Sequence, residues 1–477
     1  MVHQTECAKM PRLKRQLSFE SNFLAAIEDQ TDGHGLNIGC CMHTRAAVGS
    51  HGRVSREEFA KLWKERVTDR YPRYRSRIYS SPSLLGLDVH YNVEDLGEDF
   101  DVLSIVDEVK ADDVLRERPQ SMSAVETVVE RIMTTPFDEH LPPIKFVLVQ
   151  GEDGNTTIVS KLHHALADGF SSIMALLELT DPMPDTQLRG SANGVGDGSS
   201  RLSEDDVNSK TSRLASGLCI LWQWLKLIPW AIYMLLVFSV LPDSYTSLHP
   251  TFSRRGRLEV RFGKEVSVED LKVVSRATGA KINDVILALL AGAARRYLLA
   301  EAVKNGKEIG DPASLRMGFQ FTANMRSMND KPRIGGGGNE SWVFSVPLSL
   351  HADVRERIRD AQLQTGRLKS SPAFLFGRVF IRFCGLFMNL PLFRPLLIQS
   401  ICGGRYLLGK TLTVTNVRGP RNVRSVCGRE IVGLQCYVSY PQTFTVVTYN
   451  GRMSTTICTD EATVDAEVSL RASSHCS

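Results

Sequence analysis

The hydrophobic and polar positions in the N-terminal part of the chain alternate between the period of a strand and the period of a helix. Residues 145–150 and 156–162 are apolar runs separated by the polar, glycine-containing segment 151–155. Two such runs around a short turn predict two neighbouring strands. The spacing of apolar residues predicts an amphipathic helix over residues 54–67 and an apolar helix over residues 173–179.

The same alternation returns in the C-terminal part of the chain. Helical spacing predicts helices over residues 266–276 and 282–299, and Asn283 or Asp284 stands where a cap of the second helix belongs. Strand-like runs occupy residues 315–322, 341–346, 412–416, 433–437, 443–449 and 453–458. Alternating helices and strands in both parts predict an α/β fold.

A change of composition separates the two parts. Residues 181–216 are rich in Gly, Ser, Asp and Asn and show no periodicity, which predicts a flexible linker. An apolar segment over residues 217–250 follows. The predicted organisation is therefore an N-terminal domain over residues 1–180, the linker, the apolar segment, and a C-terminal domain over residues 251–477.

The apolar run over residues 217–241 contains one charged side chain, Lys226, and has Pro229 near its middle. As a helix it would extend about 37 Å, and the hydrocarbon core of a bilayer is about 30 Å thick. Three interpretations stay open: a membrane span, an interfacial or re-entrant segment, and a buried helix between domains. Clustered tryptophans favour the membrane interface.

A second apolar stretch, residues 373–401, is interrupted by arginines. Arg378 and Arg382 lie four positions apart and so share one helical face. This pattern is typical of a helix on a membrane surface, and it also fits a core helix with a basic outer face.

Composition and charge exclude several classes of protein. The 57 basic and 53 acidic side chains give a net charge of +4, and no basic arm with interleaved aromatics is present, so no nucleic-acid partner is expected. The 10 cysteines form no CxxC pair, and no apolar core of a signal peptide follows the basic N-terminus. Reduced thiols in a cytosol-facing protein are expected.

The segment with the strongest chemical content is HHALADG, which joins the end of a predicted strand to a predicted helix. His163 and His164 are followed by Asp168 and Gly169. A histidine at a strand end can act as a general base near neutral pH. Asp168 can cap the following helix, and Gly169 allows a sharp turn where a side chain would clash. The constellation predicts removal of a proton from a hydroxyl group.

Other chemistries lack their sequence requirements. No His-x-x-x-His pair lies near the motif, so no metal site is expected. No Gly-x-Ser-x-Gly elbow is present, which argues against a serine hydrolase. The glycines at 335–338 are not followed by Lys-Ser/Thr, and those at 194–198 follow no strand, so neither predicts a nucleotide loop. An isolated histidine pair is also compatible with simple polar packing.

The chain resembles the wax ester synthase/acyl-CoA:diacylglycerol acyltransferase family. Residues 163–169 match the HHxxxDG motif of the CoA-dependent acyltransferase superfamily. Residues 281–285 (KINDV) resemble the Asn-Asp helix start of the family, and residues 415–420 (TNVRGP) resemble its Asn-Val-x-Gly-Pro motif. Residues 338–339 fit a Gly-Asn element, and residues 88–90 resemble an early Asp-x-His stretch.

The resemblance implies a role for each motif residue. His164 would accept the proton of an alcohol as its oxygen attacks the thioester of acyl-CoA, and His163 would support the loop. Asp168, as a cap or in a salt bridge, would hold the loop and His164. Asn416 is a candidate for orienting substrate or the oxyanion, although it also suits a turn before Gly-Pro.

Asn283 and Asp284 are two further candidates for substrate binding. Asn283 and Asp284 begin a predicted helix within the Asn-Asp motif. A helix cap is the competing interpretation for both.

The resemblance also implies a two-domain, chloramphenicol acetyltransferase-like fold with central mixed sheets and an active-site channel between the domains. Acyl-CoA would be the co-substrate and no separate cofactor is expected. The acceptor would be a fatty alcohol, diacylglycerol or both, met at a membrane surface, with the endoplasmic reticulum or a lipid droplet as the address. Another alcohol acceptor, or a non-catalytic lipid-binding relative, are the alternatives.

Overall fold

The computed structural model describes most of both predicted domains. The described residues are 14–17, 21, 25, 36–46, 52–82, 89–117, 123–183, 229, 244, 246–248, 257–306, 310–324, 339, 341–371, 373, 411–440 and 442–461. Nearly all of the predicted linker, of the apolar segment 217–250 and of the stretch 373–401 lies outside them, so these predictions have no structural outcome.

Each element predicted within the described residues is found in the predicted order, although the bounds shift: the helix predicted over residues 266–276 is a short strand followed by a helix over Val268–Thr278. The structure adds elements that were not predicted, such as the strand Asn37–Arg45 and the helix Val354–Ser370. The strands are β1 (Lys14–Gln16), β2 (Asn37–Arg45), β3 (Ser76–Pro82), β4 (Val89–Asp95), β5 (Val106–Lys110), β6 (Ile144–Gln150), β7 (Thr156–His163), β8 (Thr180–Pro182), β9 (Leu258–Phe262), β10 (Val266–Ser267), β11 (Arg316–Asn324), β12 (Ser341–Ser349), β13 (Leu412–Arg418), β14 (Arg424–Val426), β15 (Arg429–Val438), β16 (Thr443–Tyr449) and β17 (Arg452–Asp460). The α-helices are α1 (Arg56–Trp63), α2 (Ala111–Glu117), α3 (Ala124–Thr134), α4 (Gly169–Glu178), α5 (Val268–Thr278), α6 (Ile282–Lys304) and α7 (Val354–Ser370).

The first sheet carries the segment that leads to the histidines. Its strand order is β5-β6-β7-β2-β15-β14-β8, with β5 and β6 parallel and the other pairs antiparallel. The predicted pairing of β6 with β7 is confirmed. Because β7 lies between β6 and β2, its backbone is fixed on both sides up to His163.

Helix α1 closes one face of the first sheet through aromatic packing. Ser55 caps the helix, and Phe59 and Trp63 are buried on its inner side. The Phe59 and Trp63 rings meet the Phe146 ring edge-on, with centroids 5.0 and 4.7 Å apart. The α-helix ends at Trp63, before the predicted end at residue 67, because a π-helical turn follows over Lys64–Thr68.

The second sheet forms the core of the C-terminal part. Its order is β10-β17-β16-β13-β11-β12, and β9 also pairs with β17. The pairs β11–β13 and β13–β16 are parallel, so this sheet is mixed as well. Helices α6 and α7 cover one face, and buried Phe319 and Phe344 pack in that layer. A separate small sheet has the order β1-β4-β3.

The two parts of the chain interlock. Strands β14 and β15 come from the C-terminal part but pair within the first sheet. Conversely, the edge of β9 is held by α3: Glu126 Oε1 accepts the Phe262 N–H at 2.7 Å, and Glu130 Oε1 accepts the Val260 N–H at 3.0 Å. The domain boundaries near residues 180 and 251 stay a prediction.

Helices able to cross a membrane were sought within the part of the chain that the structure describes. None of the helices there is long and apolar enough to span a bilayer.

Candidate active site

The HHxxxDG loop begins where β7 leaves the first sheet. His163 is the last residue of the strand and pairs with Asn37 of β2. The chain then turns: the His164 N–H donates to the Leu36 carbonyl at 3.0 Å, and the Leu166 N–H donates to the His163 carbonyl at 2.9 Å. His164 therefore lies in the turn, one residue beyond the strand end to which the sequence assigned it.

Asp168 is the cap predicted for the next helix. Its buried carboxylate accepts the Ser171 N–H at 2.9 Å, and its carbonyl accepts the Ser172 N–H at 2.9 Å. A carboxylate in this position satisfies otherwise unpaired amides of the first turn. The cap fixes where α4 starts and so fixes the C-terminal end of the loop.

Gly169 does not make the sharp turn that the sequence suggested. It is the first helical residue of α4 and does not adopt positive φ. A Cβ at this position would lie 3.8 Å from Val417 Cγ2, which is ordinary van der Waals contact. That part of the prediction was wrong, because residues 164–166 make the turn instead. A Cβ at residue 169 would also fit beside β13 without a clash.

His164 is partly buried and has a partner from the C-terminal part of the chain. Its Nδ1 lies 3.0 Å from Asn339 Oδ1, and Asn339 Nδ2 donates to the His164 carbonyl at 2.8 Å. Burial lowers the pKa of the His164 imidazole below the ordinary histidine value, although the negative charge of Asp168 and the Asn339 hydrogen bond oppose the shift. The imidazole is therefore neutral near pH 7, as a general base must be.

His163 supports the loop. It is buried, its Nδ1 accepts the Ala165 N–H at 2.9 Å, and its ring lies 6.2 Å from the Phe137 ring. These contacts agree with the supporting role expected for His163.

Arg73 is a site residue that the sequence analysis missed. Its guanidinium donates to the Leu166 carbonyl and, at 2.8 Å, to the Ala165 carbonyl, so it anchors the loop through two backbone carbonyl groups. It also donates to the hydroxyl of Ser21 at 3.0 Å. Burial lowers the pKa of Arg73, and the nearby Asp168 charge opposes that shift. No motif indicated Arg73, which lies in a short 3₁₀ turn far from the histidines in sequence.

Asn339 is the second residue of the Gly-Asn element, and the sequence predicts no role for it. The structure places it against His164, and the buried Ser21 hydroxyl accepts its Nδ2 at 3.1 Å. The position of Asn339 directly before a strand could have identified it as a loop residue, but nothing in the sequence shows its partner.

The asparagine pair Asn283–Asn416 lies near the loop but in a different environment. Asn416 Nδ2 donates to Asn283 Oδ1 at 2.7 Å, and both side chains are exposed. Val417, the next residue of β13, is the neighbour of Gly169. The structure thus brings the end of β13 and the start of α6 together beside the start of α4.

Asp284 is buried and hydrogen-bonded within the protein. Its buried carboxylate accepts the Lys281 N–H through Oδ2 at 3.0 Å and the Thr365 hydroxyl through Oδ1 at 2.7 Å. Lys281 occupies the N-cap position, so neither Asn283 nor Asp284 is the cap residue itself. Asp284, in the first turn, helps to cap the start of α6 by accepting the N-cap amide of Lys281, and its bond from Thr365 ties α6 to α7. Its role in substrate binding stays a prediction.

Ligands for a metal ion were sought as groups of three or more His, Cys, Asp or Glu side chains. The described residues contain no such group.

Two family models match this chain, in the order of its two parts. The wax ester synthase/diacylglycerol acyltransferase catalytic domain matches residues 30–286, and the WS/DGAT C-terminal domain matches residues 337–472. The first match ends in α6, and the second begins just before Asn339.

Curated relatives and solved structures agree with these models. The chain is 22% identical over 453 residues to wax ester synthase/diacylglycerol acyltransferase 8 of Arabidopsis thaliana, which covers 87% of this chain and 88% of the relative. It is 23% identical to number 4 of the same organism over 72% of this chain and 70% of the relative.

The fold is similar to that of a wax ester synthase/diacylglycerol acyltransferase from Marinobacter aquaeolei VT8, with a TM-score of 0.61, 15% identity and 97% of each chain covered. The first condensation domain of the calcium-dependent antibiotic synthetase also matches, with a TM-score of 0.59, 13% identity and 97% of each chain covered. The mixed α/β fold, with its two central sheets, and the acyltransferase class expected from the sequence are confirmed. The chain belongs to the wax ester synthase/diacylglycerol acyltransferase family.

Proposed function

We propose that this protein transfers a long-chain acyl group from acyl-CoA to the hydroxyl of a fatty alcohol, of diacylglycerol or of both, with His164 as the general base. The observation that carries the proposal is the His164 imidazole, which is kept neutral by burial and is held at a loop between the two parts of the chain by Asn339. Family membership supplies the acyl-CoA and acceptor classes.

In the proposed reaction one histidine both accepts and returns the proton. His164 takes the proton from the acceptor hydroxyl while the oxygen attacks the thioester carbonyl carbon. The tetrahedral intermediate then expels the CoA sulfur, which takes the proton back from His164 as the ester forms. Base assistance of this kind contributes roughly 10²–10⁴-fold, and holding both substrates in one channel supplies much of the remaining acceleration.

Two neighbours would assist these steps. The Asp168 charge, which raises the pKa of His164 against the effect of burial, would stabilise the imidazolium that forms in the intermediate. The exposed Asn416 amide, at the end of β13 beside α4, is the candidate for orienting substrate or the oxyanion, with Asn283 as its partner.

The acceptors also suggest where the enzyme acts. Fatty alcohols and diacylglycerol partition into membranes, and the apolar stretches 217–241 and 373–401 are suited to a membrane surface. We place the protein on the cytosolic face of the endoplasmic reticulum or on lipid droplets. Fractionation of cells expressing the tagged full chain tests this, and recovery in the cytosolic supernatant alone would contradict it.

Product analysis tests the reaction itself. The full chain, with membranes, receives labelled palmitoyl-CoA and either hexadecanol or diacylglycerol, and membranes from cells without the protein serve as the control. Wax ester, triacylglycerol or both are expected above that control. If labelled ester forms with a short or sugar alcohol but with neither hexadecanol nor diacylglycerol, the proposed acceptor class is wrong. The absence of any ester would contradict the proposal.

A further inference from the structure

The hydrogen bonds of Asn339 determine which of its two amide atoms faces which neighbour. The His164 carbonyl oxygen can only accept, and it lies 2.8 Å from the Asn339 amide, so that end of the amide must be the NH₂ group. The Ser21 hydroxyl oxygen lies 3.1 Å from the same nitrogen. The amide oxygen is left to face the His164 ring, with Oδ1 3.0 Å from Nδ1.

This orientation fixes the proton on the ring. An amide oxygen carries no hydrogen, so the hydrogen of the Oδ1–Nδ1 contact belongs to Nδ1. In a neutral imidazole the other nitrogen, Nε2, then holds the lone pair. We infer that Asn339 is a positioning residue that sets His164 in the tautomer with a free Nε2, the nitrogen that receives the acceptor proton. The inference rests on the proposed function.

Ser21 connects this amide to the rest of the loop. Its hydroxyl oxygen accepts from Asn339 Nδ2 and, at 3.0 Å, from Arg73 Nη2, and Arg73 binds the Ala165 and Leu166 carbonyls. The oxygen is fully buried, so these bonds do not compete with bulk water. One network therefore holds both the carbonyl of His164 and the loop that follows it.

The network joins three distant parts of the sequence. Ser21 and Asn339 are 318 positions apart, and His164 and Asn339 are 175 apart. Asn339 belongs to the C-terminal part of the chain, whereas His164 belongs to the first sheet. The histidine is thus set in its working tautomer only when the two parts are docked against each other.

Other charged and titratable groups around His164 affect how readily the ring is protonated. Asp168 raises the pKa of His164 and His163 lowers it, while the Arg73 guanidinium lies under the loop with its hydrogen bonds on the two carbonyls. Of these described neighbours, Asn339 is the one whose side chain bonds Nδ1. The same Asn339 hydrogen bond also raises the pKa of His164, so Asn339 affects both the choice of nitrogen and the ease of protonation, whereas the charges of Asp168 and His163 act on the ease of protonation.

The direct test is the tautomer of the wild-type enzyme. The full chain is labelled with ¹⁵N-histidine, and the His164 signals are assigned by difference from His164→Gln. A proton on Nδ1 and an unprotonated Nε2 at pH 7.5 are expected. The opposite tautomer, with the proton on Nε2, would overturn the inference without any engineered change at Asn339.

Two variants test the consequence. Asn339→Ala removes the acceptor of Nδ1, and kcat should fall by roughly 10²-fold, which is part of the contribution of a correctly placed base, while KM changes by less than about threefold. Asn339→Asp keeps an acceptor at Nδ1 and adds a negative charge, so the acid limb of the kcat/KM profile should move to higher pH. Asn92→Ala, which removes another asparagine that donates to a serine hydroxyl, at 2.8 Å to Ser81, is the matched control and should keep the wild-type profile.

The outcomes separate this inference from the proposed function. If His164→Gln is inactive but Asn339→Ala keeps the wild-type kcat and tautomer, the positioning role fails and the base stands. If His164→Gln retains full activity, the base itself fails. A loss of kcat in Asn339→Asp with an unmoved acid limb would mark Asn339 as merely structural and would also overturn the inference.

Discussion

The HHxxxDG loop and the asparagine pair Asn283–Asn416 both contain residues of family motifs, but they differ in burial and in the number of hydrogen bonds that hold them. The loop is buried, and hydrogen bonds from three parts of the chain hold it through Ser21, Arg73 and Asn339. The asparagine pair is exposed, and a single hydrogen bond of 2.7 Å from Asn416 Nδ2 to Asn283 Oδ1 joins its two side chains.

The difference lies in solvation. Burial shifts the pKa of a base and makes each hydrogen bond around it costly to lose. Exposed amides keep hydrogen-bonding capacity free for a ligand at little cost to the fold. We therefore expect substitutions around the loop to affect turnover and stability together, and substitutions in the asparagine pair to affect substrate handling alone.

Arg73→Ala should have the largest effect of the variants that leave His164 in place. It strands two buried carbonyl oxygens, each of which costs about 1–3 kcal/mol when unpaired, and frees the loop to move. We expect kcat to fall by roughly 10²-fold and the free energy of unfolding to fall by about 2–4 kcal/mol. Arg70→Ala, an arginine with a 58% exposed side chain, is the control. Wild-type turnover in Arg73→Ala would remove the link between loop anchoring and activity.

Asp284→Ala should have the next largest effect, and this effect should be on the free energy of unfolding only. The variant loses a buried bond from the Thr365 hydroxyl and one from the Lys281 amide, which together are worth about 2 kcal/mol. Chemical denaturation measures the loss, and kcat/KM of the folded protein should stay unchanged. Asp270→Ala, which removes an exposed carboxylate from the first turn of α5, is the comparison. A loss of turnover with wild-type stability would support the substrate-binding role predicted from the sequence.

Asp168 combines a cap with a charge, and two substitutions separate them. Asp168→Ala should lose about 1 kcal/mol of stability because the N-cap is gone. Asp168→Asn keeps a capping side chain but removes the charge that raises the pKa of His164. In the wild type the active form is neutral, so kcat/KM should fall as pH drops through a pKa below the ordinary 6.5.

The pH profile of Asp168→Asn gives the sharper comparison. Its acid limb should lie lower still than that of the wild type, because burial then acts on His164 without the opposing charge. A limb that moves upward, or does not move, would show that Asp168 acts on His164 only as a cap.

Asn416→Ala should have the smallest effect on the fold. An exposed side chain bonded to one other exposed side chain typically changes stability by no more than about 0.5 kcal/mol. Any change in activity should therefore appear in KM or in the choice between hexadecanol and diacylglycerol. Both quantities are measured in parallel for Asn283→Ala, which removes the partner of the same hydrogen bond. A large drop in melting temperature would show that the pair is a structural joint and that the contrast with the loop is false.

The sequence predicted the parts of this molecule that depend on local chemistry. The β6–β7 pair and the cap at Asp168 follow from residues close in the chain, and the structure has both. The sharp turn assigned to Gly169 was wrong because a glycine next to a cap suits either a turn or the first residue of the helix, and here it begins α4. Local pattern does not distinguish these two cases.

The remaining features depend on contacts between distant segments. Arg73 reaches Leu166 across 93 positions, and Asn339 reaches His164 across 175. Strand β15 joins the first sheet although the predicted division assigns it to the C-terminal domain. Such contacts are set by how two sheets dock, and neither periodicity nor a single motif encodes that geometry.

The claim that His164 is the base is tested most directly by the release of CoA thiol from palmitoyl-CoA in the presence of acceptor. The measurement compares the wild type with His164→Ala and with His140→Ala, whose side chain is 74% exposed. We predict a loss of at least roughly 10²-fold for His164→Ala, which should stay folded although it loses the Asn339 hydrogen bond. His140→Ala should keep the wild-type activity and melting temperature. Turnover of His164→Ala within a few fold of the wild type would contradict the account.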